Sequence, residues 1–151
     1  MEENFYYLAG KCAPSPLSDA FDYAYFTKLL QGSERLSAKA FLATEQRIPG
    51  LGNGILQDIL LAAGVHPKRK MLDLSQAERM KLFDCLKALL RKMTQAGGRD
   101  TEKDLFGRPG GYKTKLSRNN TLLICPNCGS PVQKQAYLGG SVYFCESCQP
   151  L

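Results

Sequence analysis

Apolar residues recur at helical spacing in four segments of the first 95 residues. The first segment follows Ser18-Asp19, which is a candidate helix cap, and runs to about Gln31. Its apolar face consists of Phe21, Tyr25, Phe26, Leu29 and Leu30. A second, short helix is predicted from Ser37 to about Gln46, and Pro49-Gly50 enforces the turn after it.

Two further helices are predicted in the middle of the chain. An apolar run extends from Ile55 to Ala63 and stops at Gly64. Ser75-Gln76-Ala77-Glu78 is a capping box that opens a long amphipathic helix. The apolar face of this helix consists of Met80, Phe83, Leu86, Leu89, Leu90 and Met93. These patterns predict a mainly α fold.

The pattern changes after Gly97-Gly98. Residues 99–119 contain few apolar positions, three glycines and one proline, which is typical of a long loop. Strand-like alternation then appears at Val132–Tyr137 and Ser141–Phe144, on either side of a glycine-rich turn, and predicts a β-hairpin. We therefore expect a helical domain with a C-terminal loop at residues 1–119 and a hairpin domain at residues 120–151.

The composition is typical of a globular protein with a real core. The chain has 151 residues, of which 44% are hydrophobic and 23% charged. No apolar run approaches the ~18 residues of a membrane span. The opening Met1-Glu2-Glu3-Asn4 lacks the basic segment of a signal peptide. We therefore expect a monomeric protein of the reducing cytoplasm, without membrane partners.

Basic residues exceed acidic ones by 20 to 14, and the excess is concentrated late in the chain. Between residues 91 and 134 three acidic residues accompany nine basic ones, which are Arg91, Lys92, Arg99, Lys103, Arg108, Lys113, Lys115, Arg118 and Lys134. This bias favours a polyanionic partner, although a solubilising surface has the same composition. The basic stretch leads into a cysteine motif, which favours nucleic acid.

That cysteine motif has the spacing of a structural zinc ribbon. Cys125 and Cys128 form one pair, and Cys145 and Cys148 form another after sixteen intervening residues. Each two-residue gap allows both thiolates to reach one metal ion, and the intervening hairpin brings the pairs together in a tetrahedral site. Four protein ligands leave no position for water, so the predicted zinc is structural. An iron or redox dithiol site is the rival interpretation.

A glycine-rich turn precedes the third predicted helix. In the sequence Pro49-Gly50-Leu51-Gly52-Asn53-Gly54, three glycines surround one asparagine. Glycine lets a phosphate approach the backbone closely, and a helix N-terminus offers free N–H groups and a partial positive charge. Two interpretations of Asn53 remain open at this point: it caps the helix, or it binds a phosphate.

Taken in order, these segments resemble the C-terminal half of the formamidopyrimidine-DNA glycosylase and endonuclease VIII family. The resemblance covers nearly the whole chain, through Pro16–Asp19, Arg47–Gly54, Ala62–Pro67, Gly97-Gly98, Pro109–Tyr112 and the cysteine ribbon. The formamidopyrimidine branch is the more similar one, judged from Ala62–Pro67 and the Gly97-Gly98 loop entry.

The resemblance implies a helix-two-turn-helix bundle followed by a zinc hairpin, which together bind double-stranded DNA from which a damaged base is extruded. It also implies that Asn53 binds the phosphate beside the lesion, helped by the backbone amides of Gly52 and Gly54. Asp58 stands at a typically acidic position of the family, and residues 99–112 correspond to a loop that caps the extruded base. We expect further phosphate contacts from Lys113, Lys115, Arg118 and Lys134.

The chain departs from the family in two places. The family's nucleophile is an N-terminal proline amine carried by a β-sandwich domain, and Met1-Glu2-Glu3-Asn4 does not match it. We therefore predict no catalytic residues and expect a C-terminal fragment that is inactive alone. The family's hairpin also carries an arginine five residues before its third cysteine, where this chain has Gly140.

The predicted function is binding of damaged double-stranded DNA, as the C-terminal part of a base-excision repair glycosylase with lyase activity. The expected location is the cytoplasm, in association with the nucleoid. A zinc-stabilised module that binds protein or RNA is the alternative. RNA-binding modules for single strands present stacking aromatic residues, and the late basic region contains few of them.

Overall fold

The computed structural model describes residues 14–45, 47–120 and 122–151. This part of the chain contains four α-helices, namely α1 (Tyr23–Leu30), α2 (Ala38–Ala43), α3 (Asn53–Ala63) and α4 (Gln76–Gln95), and a 3₁₀ turn at Met71–Asp73. They precede an antiparallel hairpin of β1 (Val132–Tyr137) and β2 (Gly140–Cys145). The prediction of a mainly α fold with a terminal hairpin is confirmed. None of the described helices has the length and apolar character that a membrane crossing requires.

The first helix begins later than Ser18-Asp19, so the predicted cap is wrong. The Asp22 side chain accepts a hydrogen bond from Tyr25 N at 2.8 Å and is the observed cap. Ser18 instead belongs to a preceding turn, in which its hydroxyl donates to Ser15 O at 2.7 Å. That turn brings Phe21 into the core, where its side chain is fully buried.

The second helix ends at Ala43, earlier than predicted, and Gln46 lies outside the described residues. Its predicted start is confirmed, because the Ser37 side chain accepts from Ala40 N at 3.2 Å. Phe41 and Leu42 are buried, and Phe41 meets the edge of Phe26 at a centroid distance of 5.6 Å.

The core lies between α3 and α4 and is closed by α1 and α2. The predicted capping box at the start of α4 is present, with Ser75 and Glu78 bonding each other's backbone N–H. Met80, predicted to face the core, is exposed, whereas Leu82 is fully buried. Burial of a leucine side chain contributes roughly 1.5–3 kcal/mol. The buried side of α4 is thus formed by Leu82, Leu86, Leu90 and Met93.

The segment between α4 and β1 has no helix or strand among its described residues, as predicted. Its first part folds back on itself, since Asp100 N donates to Tyr112 O at 2.7 Å and Tyr112 N to Gly98 O at 3.0 Å. A Cβ atom at Gly110 would lie 2.3 Å from the carbonyl carbon of Gly98. This close approach requires glycine at position 110.

The hairpin packs against α3 through the exposed edge of β2. The Gln57 side chain accepts from Tyr143 N at 3.1 Å and donates to Ser141 O at 3.0 Å, so it pairs with the strand as a neighbouring strand would. Gln149, which is fully buried, accepts from Cys145 N and donates to Val65 O, both at 2.9 Å. These amides hold the hairpin to the helical core and satisfy an otherwise open strand edge.

Candidate metal centre and anion cleft

Four cysteine side chains meet at one end of the hairpin. All four Sγ atoms of Cys125, Cys128, Cys145 and Cys148 lie within 4.8 Å of one another. The Cys125 and Cys148 sulfurs are 3.8 Å apart, and those of Cys128 and Cys145 are 3.5 Å apart. Tetrahedral bonds of about 2.3 Å to a central metal place sulfurs roughly 3.8 Å apart. The predicted ligand set is therefore positioned to bind a metal ion.

The two cysteine pairs are shaped by short turns. Gly129 N donates to Cys125 O, and Gln149 N donates to Cys145 O, each at 2.8 Å. Each turn directs both thiols of its pair to the same side. Cys85, by contrast, is half-buried on α4 outside this group, and Cys12 lies outside the described residues.

The four thiols differ in their electrostatic surroundings. Hydrogen bonding from Ser130 lowers the pKa of the exposed Cys128 thiol to about 6. The neighbouring Cys128 thiol, together with burial, raises the pKa of Cys148 to about 12. Burial likewise raises the pKa of Cys145. Because adjacent thiolates repel one another, a cation at the centre is needed to keep all four deprotonated.

Asn53 lies at the start of α3 but does not cap it. Gly52 is the capping residue and Asn53 the first helical residue, so the capping interpretation is wrong. Its Nδ2 atom instead donates to Ser141 O on the hairpin at 2.9 Å. Its Oδ1 atom is buried and has no hydrogen-bond partner among the described residues. Asn53 thus joins the helix N-terminus to the hairpin.

A cleft of about 300 Å³ opens beside this junction. It is bounded by the start of α3, the turn after α4, the end of the long loop and the hairpin; its lining residues include Asn53, Gly54, Gln57, Arg99, Thr101, Ser117, Arg118, Ser141 and Tyr143. We call this space the α3 cleft. Of the predicted contact residues, it brings together Asn53, Gly54 and Arg118.

The other predicted contacts lie at different distances from the α3 cleft. Gly52 is exposed immediately before Asn53. Lys134 stands over the Tyr143 ring, with its Nζ atom 5.5 Å from the ring centroid, at the edge of the cleft. Lys113 and Lys115 instead line a separate cavity beside α4. The predicted basic residues therefore do not lie in one cluster.

Arg99 is a cleft residue that the sequence did not single out. Its Nε and Nη2 atoms each lie 2.9 Å from Glu102 Oε1. Thr101, in the same turn, accepts a bond on its carbonyl oxygen from Arg118 Nη2 at 3.1 Å. In the sequence Arg99 is one of nine basic residues between positions 91 and 134 and directly follows Gly97-Gly98, and neither feature distinguishes it from the other basic residues as a contact.

Asp58 connects α3 to the end of the long loop. Its buried carboxylate accepts from the Tyr112 hydroxyl at 2.8 Å, from Lys115 N at 2.9 Å and from Leu116 N at 2.8 Å. Burial, followed by the nearby Asp58 charge, raises the pKa of Tyr112 well above its usual range, so its hydroxyl remains a donor. Asp58 therefore positions the segment that carries Ser117 and Arg118 into the α3 cleft.

Tyr112→Phe is expected to lower the free energy of unfolding by about 1–3 kcal/mol, because it removes a hydrogen bond to a buried carboxylate. Urea denaturation measures this change. Tyr23→Phe is the matched control, since Tyr23 is half-buried and has no side-chain hydrogen bond among the described residues. Equal stability of the two variants would contradict the role given to Asp58.

Comparison with known proteins places this geometry in a family. Residues 12–104 match the model of the formamidopyrimidine-DNA glycosylase H2TH domain. Formamidopyrimidine-DNA glycosylase of Hydrogenovibrio crunogenus is 35% identical over 142 residues, which are 90% of this chain and 49% of the relative. The Thermus thermophilus enzyme is 31% identical over 92% of this chain and 54% of its own length. The chain thus spans about half the length of these curated relatives.

Solved structures show the same similarity. The crystal structure of the MutM (Fpg) protein from Thermus thermophilus superposes with a TM-score of 0.81 at 31% identity, over 91% of this chain and 53% of that one. The Lactococcus lactis Fpg in complex with abasic-site DNA superposes with a TM-score of 0.75 at 26% identity, over 97% and 54%. With a family model that matches more than half of the residues, the chain belongs to the formamidopyrimidine-DNA glycosylase H2TH family.

Proposed function

We propose that this chain binds double-stranded, damaged DNA as the C-terminal part of a base-excision repair glycosylase of formamidopyrimidine type. The observation that carries the proposal is the α3 cleft, where a helix N-terminus, an asparagine amide and arginine side chains converge between helix and hairpin. The Lactococcus lactis Fpg structures, which contain abasic-site and lesion DNA, support it.

The cleft has the chemistry that a DNA phosphate requires. The first N–H groups of α3 lack helical acceptors and carry the positive end of the helix dipole. Gly54 leaves this end of the helix accessible, and Arg118 supplies a positive charge. Lys134, beside Tyr143, and the exposed Lys113 and Lys115 extend the positive surface. We expect these groups to bind successive phosphates of one duplex.

We propose zinc as the metal held by the four cysteines. Four thiolates in tetrahedral positions fit Zn²⁺, and a closed set of protein ligands leaves no position for catalysis. The ion therefore contributes folding energy to the hairpin. We also propose a division into residues 1–119 and 120–151, because all four ligands and both hairpin strands lie in the second part. Leu61 and Leu116 of the first part pack against the cysteines at the junction.

We propose that the chain alone binds DNA without cleaving it, because the family resemblance implies a nucleophile in the part of the glycosylases that this chain does not match. The relatives are about twice as long as the matched segment. We propose further that the chain acts as a monomer in the cytoplasm, where the nucleoid provides the DNA that it binds.

Duplex binding is expected to weaken steeply with salt, because each phosphate contact releases counterions. The slope of log K against log salt should be about −0.9 for each phosphate neutralised. Fluorescence anisotropy with a labelled duplex that contains an abasic-site analogue measures it over a range of salt concentrations.

Single-stranded DNA and single-stranded RNA competitors of the same sequence are the controls for the alternative function. We expect the duplex to compete better than the single strand. Stronger competition by single-stranded RNA, or no binding to the duplex at low salt, would favour an RNA-binding or protein-binding module.

A further inference from the structure

Arg99 occupies a position in the α3 cleft that its ion pair does not explain. Nε and Nη2 face Glu102, whereas Nη1 has no hydrogen-bond acceptor among the described residues and lies against Gly54. Surface ion pairs contribute little to stability, with a median near 0–1 kcal/mol. A guanidinium placed at the positive end of α3 is also repelled by the helix dipole. The arrangement becomes favourable when an anion occupies the cleft.

The residue that makes this position possible is Gly54. A Cβ atom there would lie 2.6 Å from Arg99 Nη1 and 3.4 Å from its Cζ. Any side chain at position 54 therefore displaces the guanidinium from the start of α3. The φ angle of Gly54 is not in the left-handed region, so backbone conformation does not require glycine there.

The backbone of Arg99 is fixed on both sides. Its carbonyl oxygen accepts from Glu102 N at 3.0 Å and from Gly110 N at 3.2 Å. The same turn holds Arg118, through Thr101 O. Arg99 thus enters the cleft from the turn after α4, and Arg118 enters it from the end of the long loop and is tied to that turn by its bond to Thr101 O. Glu102 orients the Arg99 guanidinium and leaves its Nη1 atom without a partner among the described residues.

The cleft also contains a hydroxyl group without a partner. Thr101 Oγ1 is buried and has no hydrogen-bond partner within residues 14–45, 47–120 and 122–151. On the hairpin side, residue 140 is glycine and supplies no cation, and a Cβ atom there would lie 3.0 Å from Asn53 Nδ2. The unpaired hydroxyl is a donor for a phosphate oxygen.

We propose that Arg99 is a second phosphate-binding cation of the α3 cleft, held over the first turn of α3 because residue 54 is glycine. The ligand is a phosphodiester group of DNA, bound between Arg99, Arg118 and the N–H groups of α3, with the Thr101 hydroxyl as a further donor. This inference rests on the proposed function and adds to it a residue pair, Gly54 and Arg99, that determines affinity.

The test measures binding of the abasic-analogue duplex by Arg99→Gln, Gly54→Ala and the control Arg35→Gln. Arg35 is exposed and lies outside the cleft, and its substitution by glutamine removes one positive charge, as Arg99→Gln does. We expect Arg99→Gln to weaken binding about tenfold, as for loss of a charged hydrogen bond, and to reduce the salt slope by about 0.9. Arg35→Gln should change neither quantity.

Gly54→Ala separates binding from folding. Alanine favours a helix more than glycine does, so the Tm should not fall, yet the displaced Arg99 should weaken binding severalfold. If Arg99→Gln and Gly54→Ala bind like Arg35→Gln while the parent chain shows salt-dependent binding, the inference is overturned and the proposed function stands. If the parent chain does not bind the duplex at all, both are overturned.

Discussion

Removal of the metal is expected to unfold the hairpin and leave α1 to α4 helical. Within the part of the chain that the structure describes, the cluster around the cysteines contains five buried residues, Leu61, Leu116, Cys125, Val132 and Cys145. A two-stranded hairpin is marginal at best in water, whereas a structural zinc supplies an apparent ~10–16 kcal/mol in small metal-dependent units. Hydrogen exchange after treatment with a strong chelator should show lost protection in residues 122–151. Far-UV circular dichroism should retain most of its helical signal.

Two cysteine variants provide the comparison for this experiment. Cys145→Ser removes a buried ligand and should abolish tight binding of one zinc per chain, as measured by elemental analysis. Cys85→Ser changes a half-buried thiol of α4 outside the metal group and should retain the metal. Iron in place of zinc, or unchanged metal content in Cys145→Ser, would contradict the proposed centre.

The metal centre and the hairpin were predictable because their signals are short in range. The cysteine spacing determines which thiols meet, and strand alternation with Gly139 in the turn determines the pairing. The turn has positive φ at Leu138 and Gly139, 52° and 79°, which suits the right-handed twist of a two-residue hairpin. Local sequence therefore determines this geometry almost completely.

The errors in the helical region arise where tertiary contacts override local pattern. Ser18 and Asp22 are both suitable caps, and burial of Phe21 in a turn before the helix selects Asp22. Met80 and Leu82 both fit an amphipathic pattern at the start of α4. They differ in exposure because Leu82 packs into the core and Met80 does not. Helical periodicity alone does not show which side of α4 faces the other helices.

The α3 cleft depends on long-range contacts that no periodicity encodes. The course of the long loop is set by the approach of Gly110 to Gly98 and by the bonds from Tyr112 and Leu116 to Asp58. Only this course brings Arg99 to Gly54, which is 45 positions earlier in the chain. The sequence predicted Asn53 and Arg118 as contacts. It did not predict the turn that carries Arg99 and bonds to Arg118 through Thr101 O.

Asn53→Asp is expected to abolish most duplex binding while leaving the chain folded. The change places a carboxylate at the α3 cleft, where two unit charges about 4 Å apart repel by roughly 4 kcal/mol at an effective dielectric of 20. It also removes the Nδ2 donor to Ser141 O. Asn53→Ala removes the same donor without adding a charge, and it should lower the free energy of unfolding by about 0.5–1.5 kcal/mol. We expect roughly tenfold weaker binding for Asn53→Ala and at least 100-fold for Asn53→Asp, measured by anisotropy.

The matched control is Gln76→Glu, because Gln76 is the exposed first residue of α4, as Asn53 is the first residue of α3. Both substitutions add one negative charge at a helix N-terminus, where the dipole favours it, so neither should melt its helix. Only the carboxylate at position 53 faces the proposed phosphate. If Asn53→Asp and Gln76→Glu bind the abasic-analogue duplex equally well, Asn53 serves only to attach the hairpin to α3, and the phosphate lies elsewhere.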